Sequence, residues 1–110
     1  MRDYAEDIRI YINAEKKALD MLLIEKISEV INVMENARLS GKRIFICGNG
    51  GSASTASHLE CDFNKGISYE QEIKYDIECL SDNVPMMMAI ANDISYDDIF
   101  VVPLKNKMKS

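Results

Sequence analysis

No stretch of this chain approaches the ~18 consecutive apolar residues that a membrane-spanning helix needs, so no membrane partner is expected. A basic excess is missing too. Thirteen Lys and Arg face 18 Asp and Glu, for a net charge of −5. A duplex binder must neutralise phosphates with a basic face, so nucleic acid is excluded as the expected partner. Cysteine occurs at positions 47, 61 and 79 only, an odd number without a Cys-x-x-Cys pair. That pattern excludes a disulfide framework and a zinc knuckle, and it predicts buried free thiols in a reducing cytoplasm. The segment Met1-Arg2-Asp3-Tyr4-Ala5-Glu6-Asp7 is charged and lacks a signal-peptide core. Internal repeats and low-complexity tracts are absent.

What remains is the composition of one ordinary globular domain. The chain has 110 residues, 47% of them apolar and 28% charged. From Tyr4 to about Asn36 the pattern predicts helix. Ile8, Ile12, Leu19, Leu23, Ile27, Val30 and Met34 recur at spacings near three and four, and neither proline nor glycine intervenes. The length predicts either two helices in sequence or one long helix shared with a neighbouring subunit. Glu15, Lys16, Lys17, Asp20 and Glu25 fall on its wet faces.

Ser40-Gly41-Lys42 is a stop and a turn. Ile44-Phe45-Ile46-Cys47 reads as a short strand covered on both faces. A helix is predicted from Ser52 to about Asn64, ended by Gly66. A polar loop follows from Ile67 to Lys74. In Tyr75–Leu80 the residues Tyr75, Ile77 and Cys79 alternate with Asp76 and Glu78, which predicts a second strand. Ser81-Asp82-Asn83 is a helix cap, and Val84–Ala91 a short helix with Pro85 at its first turn. Met86, Met87 and Met88 are expected as core fill. Asn92-Asp93 is read as a break, Tyr96–Phe100 as a helical turn, and the basic end from Lys105 as polar tail. Helix, strand, helix, strand, helix is the start of a parallel α/β sheet. Two strands are too few for a sheet covered on both faces, so the predicted fold is an incomplete three-layer parallel sheet, Rossmann-like, with a long N-terminal helical region.

The run Cys47-Gly48-Asn49-Gly50-Gly51-Ser52-Ala53-Ser54-Thr55 carries the chemistry. Glycines permit a sharp bend and close approach of a ligand, and a helix start offers free N–H groups to an anion. Two readings compete. Gly48-x-Gly50-x-x-Ala53 matches a dinucleotide fingerprint, but the nearest strand-borne acids, Asp76 and Glu78, lie farther along than a ribose-binding acid should. The hydroxyls of Ser52, Ser54, Thr55 and Ser57 suit a monophosphate and its sugar, and Asn49 offers a donor and an acceptor. The sugar-phosphate reading is preferred, and no nucleotide cofactor is expected. His58, the single histidine, precedes Asp62 by four residues on one helix face. Such a pair can hold a divalent metal or move protons between sugar carbons, or His58 can simply pack or cap. Glu60 is expected on a solvated face.

These residues resemble a known family. Cys47-Gly48-Asn49-Gly50-Gly51-Ser52-Ala53, then His58-x-x-x-Asp62, Ser81-Asp82, Ala91-Asn92-Asp93 and Tyr96-x-x-x-Phe100 are similar to the sugar isomerase (SIS) domain, in particular its phosphoheptose isomerase branch. The resemblance implies a SIS-type α/β domain begun over residues 42–110 and a helical oligomerisation region over residues 1–38. It implies a phosphorylated sugar as partner, with Asn49, Gly50, Gly51, Ser52, Asn92 and Asp93 contacting it, and a homo-oligomer, a tetramer by resemblance. His58 matches a metal ligand, commonly zinc, and Asp62 falls where the family has a glutamate that binds metal and acts as acid/base. The implied reaction is aldose–ketose isomerisation of sedoheptulose 7-phosphate, with His58 and Asp62 as catalytic residues. A further strand, a phosphate-gripping serine/threonine loop, a glutamine and a histidine of the family have no counterpart here, so weak or absent activity is expected of this chain. The alternative is a non-enzymatic SIS module that binds sugar phosphates or a protein partner for regulation.

Overall fold

In the computed structural model, which describes residues 1–108, the predicted N-terminal helical stretch is two helices, α1 (Ala5–Asp20) and α2 (Ile24–Leu39). Met21-Leu22-Leu23 separates them. Asp3 Oδ1 accepts the Ala5 amide at 2.9 Å and so satisfies one donor at the start of α1. Met1–Val33 form one compact unit and the chain from Met34 onward a second. Neither helix contains a buried residue. The apolar stripe lies open, with Ile8, Ile12, Leu19, Leu23, Ile27 and Val30 all exposed. No helix among the described residues is long and apolar enough to cross a membrane.

In the second unit Gly41, at φ 63°, turns the chain out of α2. Strand β1 (Ile44–Ile46), helix α3 (Gly51–Cys61) and strand β2 (Ile77–Cys79) then form one crossover unit. The strands pair in parallel, Ile44 with Ile77, Phe45 with Glu78 and Ile46 with Cys79. The three-residue apolar run has the composition of a strand, but all of β1 is half-buried rather than covered on both faces. Two strands with helices on part of their surface leave β1 incompletely roofed. The predicted alternation holds over Tyr75–Cys79, with Tyr75, Ile77 and Cys79 buried, Asp76 exposed and Glu78 half-buried, but only Ile77–Cys79 of the predicted Tyr75–Leu80 strand pairs as β2.

Helix α3 runs on as a wider π-helical turn over Asp62–Ile67. That turn places Asn64 against the free edge of β2. The Asn64 amide donates to the Ile77 carbonyl at 2.7 Å, and its Oδ1 accepts the Ile77 amide at 2.9 Å. Two residues along the strand, the Cys79 amide donates to Glu60 Oε2 at 2.6 Å. Edge groups that would otherwise face water or another strand are thereby satisfied from one helix. Glu60 is therefore a strand-edge acceptor, not the solvated carboxylate expected.

The core of this unit joins Ala56 of α3 to Tyr75, Ile77, Cys79 and Leu80, with Ile90, Ile99 and Pro103 from the helices beyond. Phe63 meets Tyr75 edge-on, with ring centroids 4.9 Å apart. The polar loop over 67–74 is ordered around Ser68, which is fully buried. Its hydroxyl accepts the Tyr75 amide at 2.9 Å and its carbonyl accepts Lys74 Nζ at 2.9 Å.

After a 3₁₀ turn (Leu80–Asp82), helix α4 (Val84–Asp93) starts as predicted, with Pro85 in its first turn and Asn83 Oδ1 accepting the Met86 amide at 3.1 Å. Three expectations fail beyond that point. Asn92 and Asp93 lie in the last turn of α4 rather than breaking it. Met86 and Met88 are exposed and Met87 is half-buried, because the buried side of α4 is carried by Ile90. After the 3₁₀ turn Tyr96–Asp98, helix α5 (Val101–Lys107) takes in Lys105, Asn106 and Lys107, the start of the stretch read as polar tail. Pro103 sits in its first turn, where no intrahelical donor is lost. Lys107 pairs with Glu78, which also accepts Arg43 at 3.2 Å, so α5 is tied to the sheet.

Candidate functional site

Beyond β1 the chain bends through Cys47-Gly48-Asn49-Gly50 into α3. The bend needs glycine at two places for two reasons. A Cβ on Gly48 would lie 2.5 Å from the carbonyl carbon and oxygen of Ser52, so only glycine lets the strand end pass the first turn of α3. Gly50 has φ 57° and ψ −125°, a conformation that side chains rarely adopt. No side chain caps α3. The Ser52 amide donates back to the Asn49 carbonyl at 3.1 Å, and the Ala53 amide to Gly50 at 3.0 Å. Among the described residues the amides of Gly50 and Gly51 meet no acceptor, and both glycines are exposed. Exposed N–H groups at the positive end of an 11-residue helix are groups to which an anion could bind.

The loop is held by residues that spacing could not reveal. Ser81, buried in the 3₁₀ turn that follows β2, donates its hydroxyl to the Gly48 carbonyl at 2.7 Å and accepts the Gly48 amide at 3.0 Å. Across 47 residues, the Asn49 side-chain amide donates to the Tyr96 hydroxyl. Ser52 and Ser54 face solvent, as does Thr55, whose hydroxyl donates to the Gly51 carbonyl at 3.2 Å. Ser57 donates to Asp82 at 3.1 Å. Of the four hydroxyls expected to grip a phosphate, two are thus engaged within the protein.

His58 and Asp62 share a face of α3 and its π extension, both exposed, with Nε2 and Oδ2 3.5 Å apart. Two ligands each about 2.0–2.2 Å from a tetrahedral zinc stand about 3.4 Å from one another, so this separation fits a shared ion. His58 and Asp82 line a cavity of about 440 Å³ together with Ala53, Ser54, Ser57 and Cys61. Cys47 and Cys61 are exposed, contrary to the expectation of three buried thiols; Cys79 is buried, and all three are free. A second set of donors, Glu60, Cys79 and Asp82, has ligand atoms all within 4.8 Å of one another and could hold a metal ion. Two features bind that set to the fold instead. Glu60 already accepts the Cys79 amide, and burial pushes the Cys79 thiol above its ordinary range, away from the thiolate a metal needs.

Asn92 and Asp93 close on each other, with Asn92 Nδ2 donating to Asp93 Oδ1 at 2.8 Å, and both are exposed at the end of α4. The turn after them carries Tyr96 and is fastened by Ser95, whose hydroxyl donates to Asp98 at 2.7 Å. The glycine loop, through Asn49, and the segment following Asn92-Asp93, through Tyr96, are thus joined side chain to side chain.

No protein-family model matches the chain. Its similarity to named proteins is nevertheless extensive. A phosphoheptose isomerase of Clostridium acetobutylicum is 32% identical over 102 residues, 91% of this chain and 52% of that protein. One of Shewanella pealeana is 36% identical over 97 residues, 88% of this chain and 46% of that protein. The solved phosphoheptose isomerase of Neisseria gonorrhoeae has the same fold over 96% of this chain and 53% of its own, with a TM-score of 0.78 at 24% identity. The chain spans about half the length of the curated relatives it matches.

Proposed function

We propose that this chain is a sugar-phosphate-binding region of phosphoheptose isomerase type, in which the bend after β1 receives the ligand. The observation that carries the reading is the pair of Gly50 and Gly51 amides without a protein acceptor at an uncapped helix start, on the same helix that carries the His58–Asp62 pair two turns further along. Similarity to proteins named for that isomerase supports it. Asn49, Gly50, Gly51 and Ser52 contact the ligand from the loop, and Asn92 and Asp93 from the end of α4. His58 and Asp62 would hold a zinc ion. Bound there, a divalent metal polarises a carbonyl, the chemistry that sugar isomerisation uses.

The residues themselves have more modest tasks. The loop amides orient the phosphate, which carries the charge. Asn49 supplies a donor and an acceptor to sugar hydroxyls. Asp62 and His58 are the groups able to take and return a proton. In the whole protein the strands here form one edge of a three-layer sheet, and the exposed stripe of α1 and α2 packs against further copies in a homo-oligomer. An apolar stripe of that extent is a surface that association would cover. A cytoplasmic setting fits three free thiols.

Calorimetric titration with sedoheptulose 7-phosphate, with and without zinc, tests the reading. Saturable binding that Gly50→Val abolishes is expected. Binding without turnover would favour the non-enzymatic SIS module, and the absence of any binding would overturn the site. Saturable NADH binding would restore the dinucleotide reading instead.

A further inference from the structure

We infer that Tyr96 is a positioning residue that orients the Asn49 amide and thereby selects for a ligand hydroxyl beside the phosphate. The inference rests on the sugar-phosphate reading of the loop. An asparagine side chain has two chemically opposite ends, and a free one can present either to a ligand. Here Nδ2 gives one of its two hydrogens to the Tyr96 hydroxyl, which fixes which end of the amide faces Tyr96 and leaves Oδ1, with the second N–H, for a ligand. Oδ1 only accepts, and a sugar hydroxyl is a group that can donate to it.

Two observations separate this contact from an incidental surface bond. Tyr96 is 62% exposed, so its ring is not held there by burial. Its backbone is nonetheless fixed: Tyr96 opens a 3₁₀ turn whose preceding residue, Ser95, bonds Asp98, while Ile99 at the turn's end is buried in the core. The partner is fixed as well, because Asn49 lies between Gly48, clamped by Ser81, and Gly50, held at φ 57°. Two anchored backbones bring one amide and one phenol together. The Tyr96 O–H, whose oxygen accepts from Asn49, keeps its own proton to donate to the same ligand.

The test compares the full chain with its Tyr96→Phe variant, which keeps the ring and removes the hydroxyl. NMR of the Asn49 side-chain amide reads the contact directly, and calorimetry reads affinity for sedoheptulose 7-phosphate and for inorganic phosphate. The expected result is a displaced Asn49 resonance, an about three- to tenfold weaker sugar-phosphate affinity, the scale of one neutral hydrogen bond, and unchanged affinity for inorganic phosphate. An unmoved Asn49 resonance, or equal weakening for both ligands, overturns the inference. If the resonance moves but the parent chain binds no sugar phosphate, the loop reading itself has failed, and selection by Tyr96 falls with it.

Discussion

Ser81 meets Gly48 twice: its hydroxyl accepts the Gly48 amide at 3.0 Å and donates to the Gly48 carbonyl at 2.7 Å. One buried side chain therefore supplies both polar partners of the glycine that starts the bend. The 3₁₀ turn after β2 holds the loop that leaves β1, although 33 residues separate Gly48 from Ser81. Removing the hydroxyl leaves a donor and an acceptor unpaired in a half-buried place. Ser81→Ala is expected to cost about 1–3 kcal/mol in urea unfolding and to weaken ligand binding, because the loop loses its anchor. Wild-type stability in that variant would contradict the clamp.

Gly48 is the position where a methyl group has nowhere to go. The added carbon would lie 2.5 Å from backbone atoms of Ser52, which cannot rotate aside. Gly48→Ala should destabilise by about 1–3 kcal/mol, the usual scale of overpacking. Gly51→Ala, where a Cβ meets nothing within 4 Å, should leave unfolding nearly unchanged. Equal effects in thermal denaturation would refute the distinction.

Asn64 acts as a substitute strand for β2. Its amide satisfies both the N–H and the C=O of Ile77. Asn64→Leu keeps the bulk and orphans both groups, so a loss of about 1–3 kcal/mol is expected, with faster hydrogen exchange at the Ile77 amide. Unchanged exchange there would show that the edge is satisfied some other way.

Acid should loosen the contact of α2 with Tyr75, two residues before β2. Arg38 donates to the Glu35 carboxylate at 2.7 Å, and Tyr75 also bonds it; the two hold its pKa below the ordinary value. A carboxylate with a lowered folded pKa adds stability above its unfolded value, about 4.3, and loses it as pH falls through the folded one. Glu35→Gln should therefore flatten the acid limb of the stability–pH curve. At the alkaline end the sign reverses. Burial, then Glu35, pushes the Tyr75 hydroxyl up, so its contribution fades as pH rises above about 10. An acid limb unaltered in Glu35→Gln would discount the pair.

Much of the local structure was legible. A short apolar run before clustered glycines gave β1 and the bend, and the alternation of Tyr75, Ile77 and Cys79 gave β2. Asn83 with Pro85 marked the start of α4. The His58–Asp62 pair follows from helical spacing alone. The illegible parts are tertiary. Ser81 clamps Gly48 and Tyr96 holds Asn49 across more than 30 residues, and no periodicity encodes such pairs. Helix α5, seven residues long, is too short to show a periodic pattern. The methionine run looked like core because composition does not say which side of α4 faces outward.

The central claim is that the Gly50 and Gly51 amides receive a phosphorylated sugar. ¹⁵N-resolved titration of the chain with sedoheptulose 7-phosphate tests it most directly. Saturable shifts confined to Asn49, Gly50, Gly51, Ser52 and the Asn92-Asp93 end of α4 are the expected result. Saturable shifts elsewhere, with these amides unmoved, would contradict it.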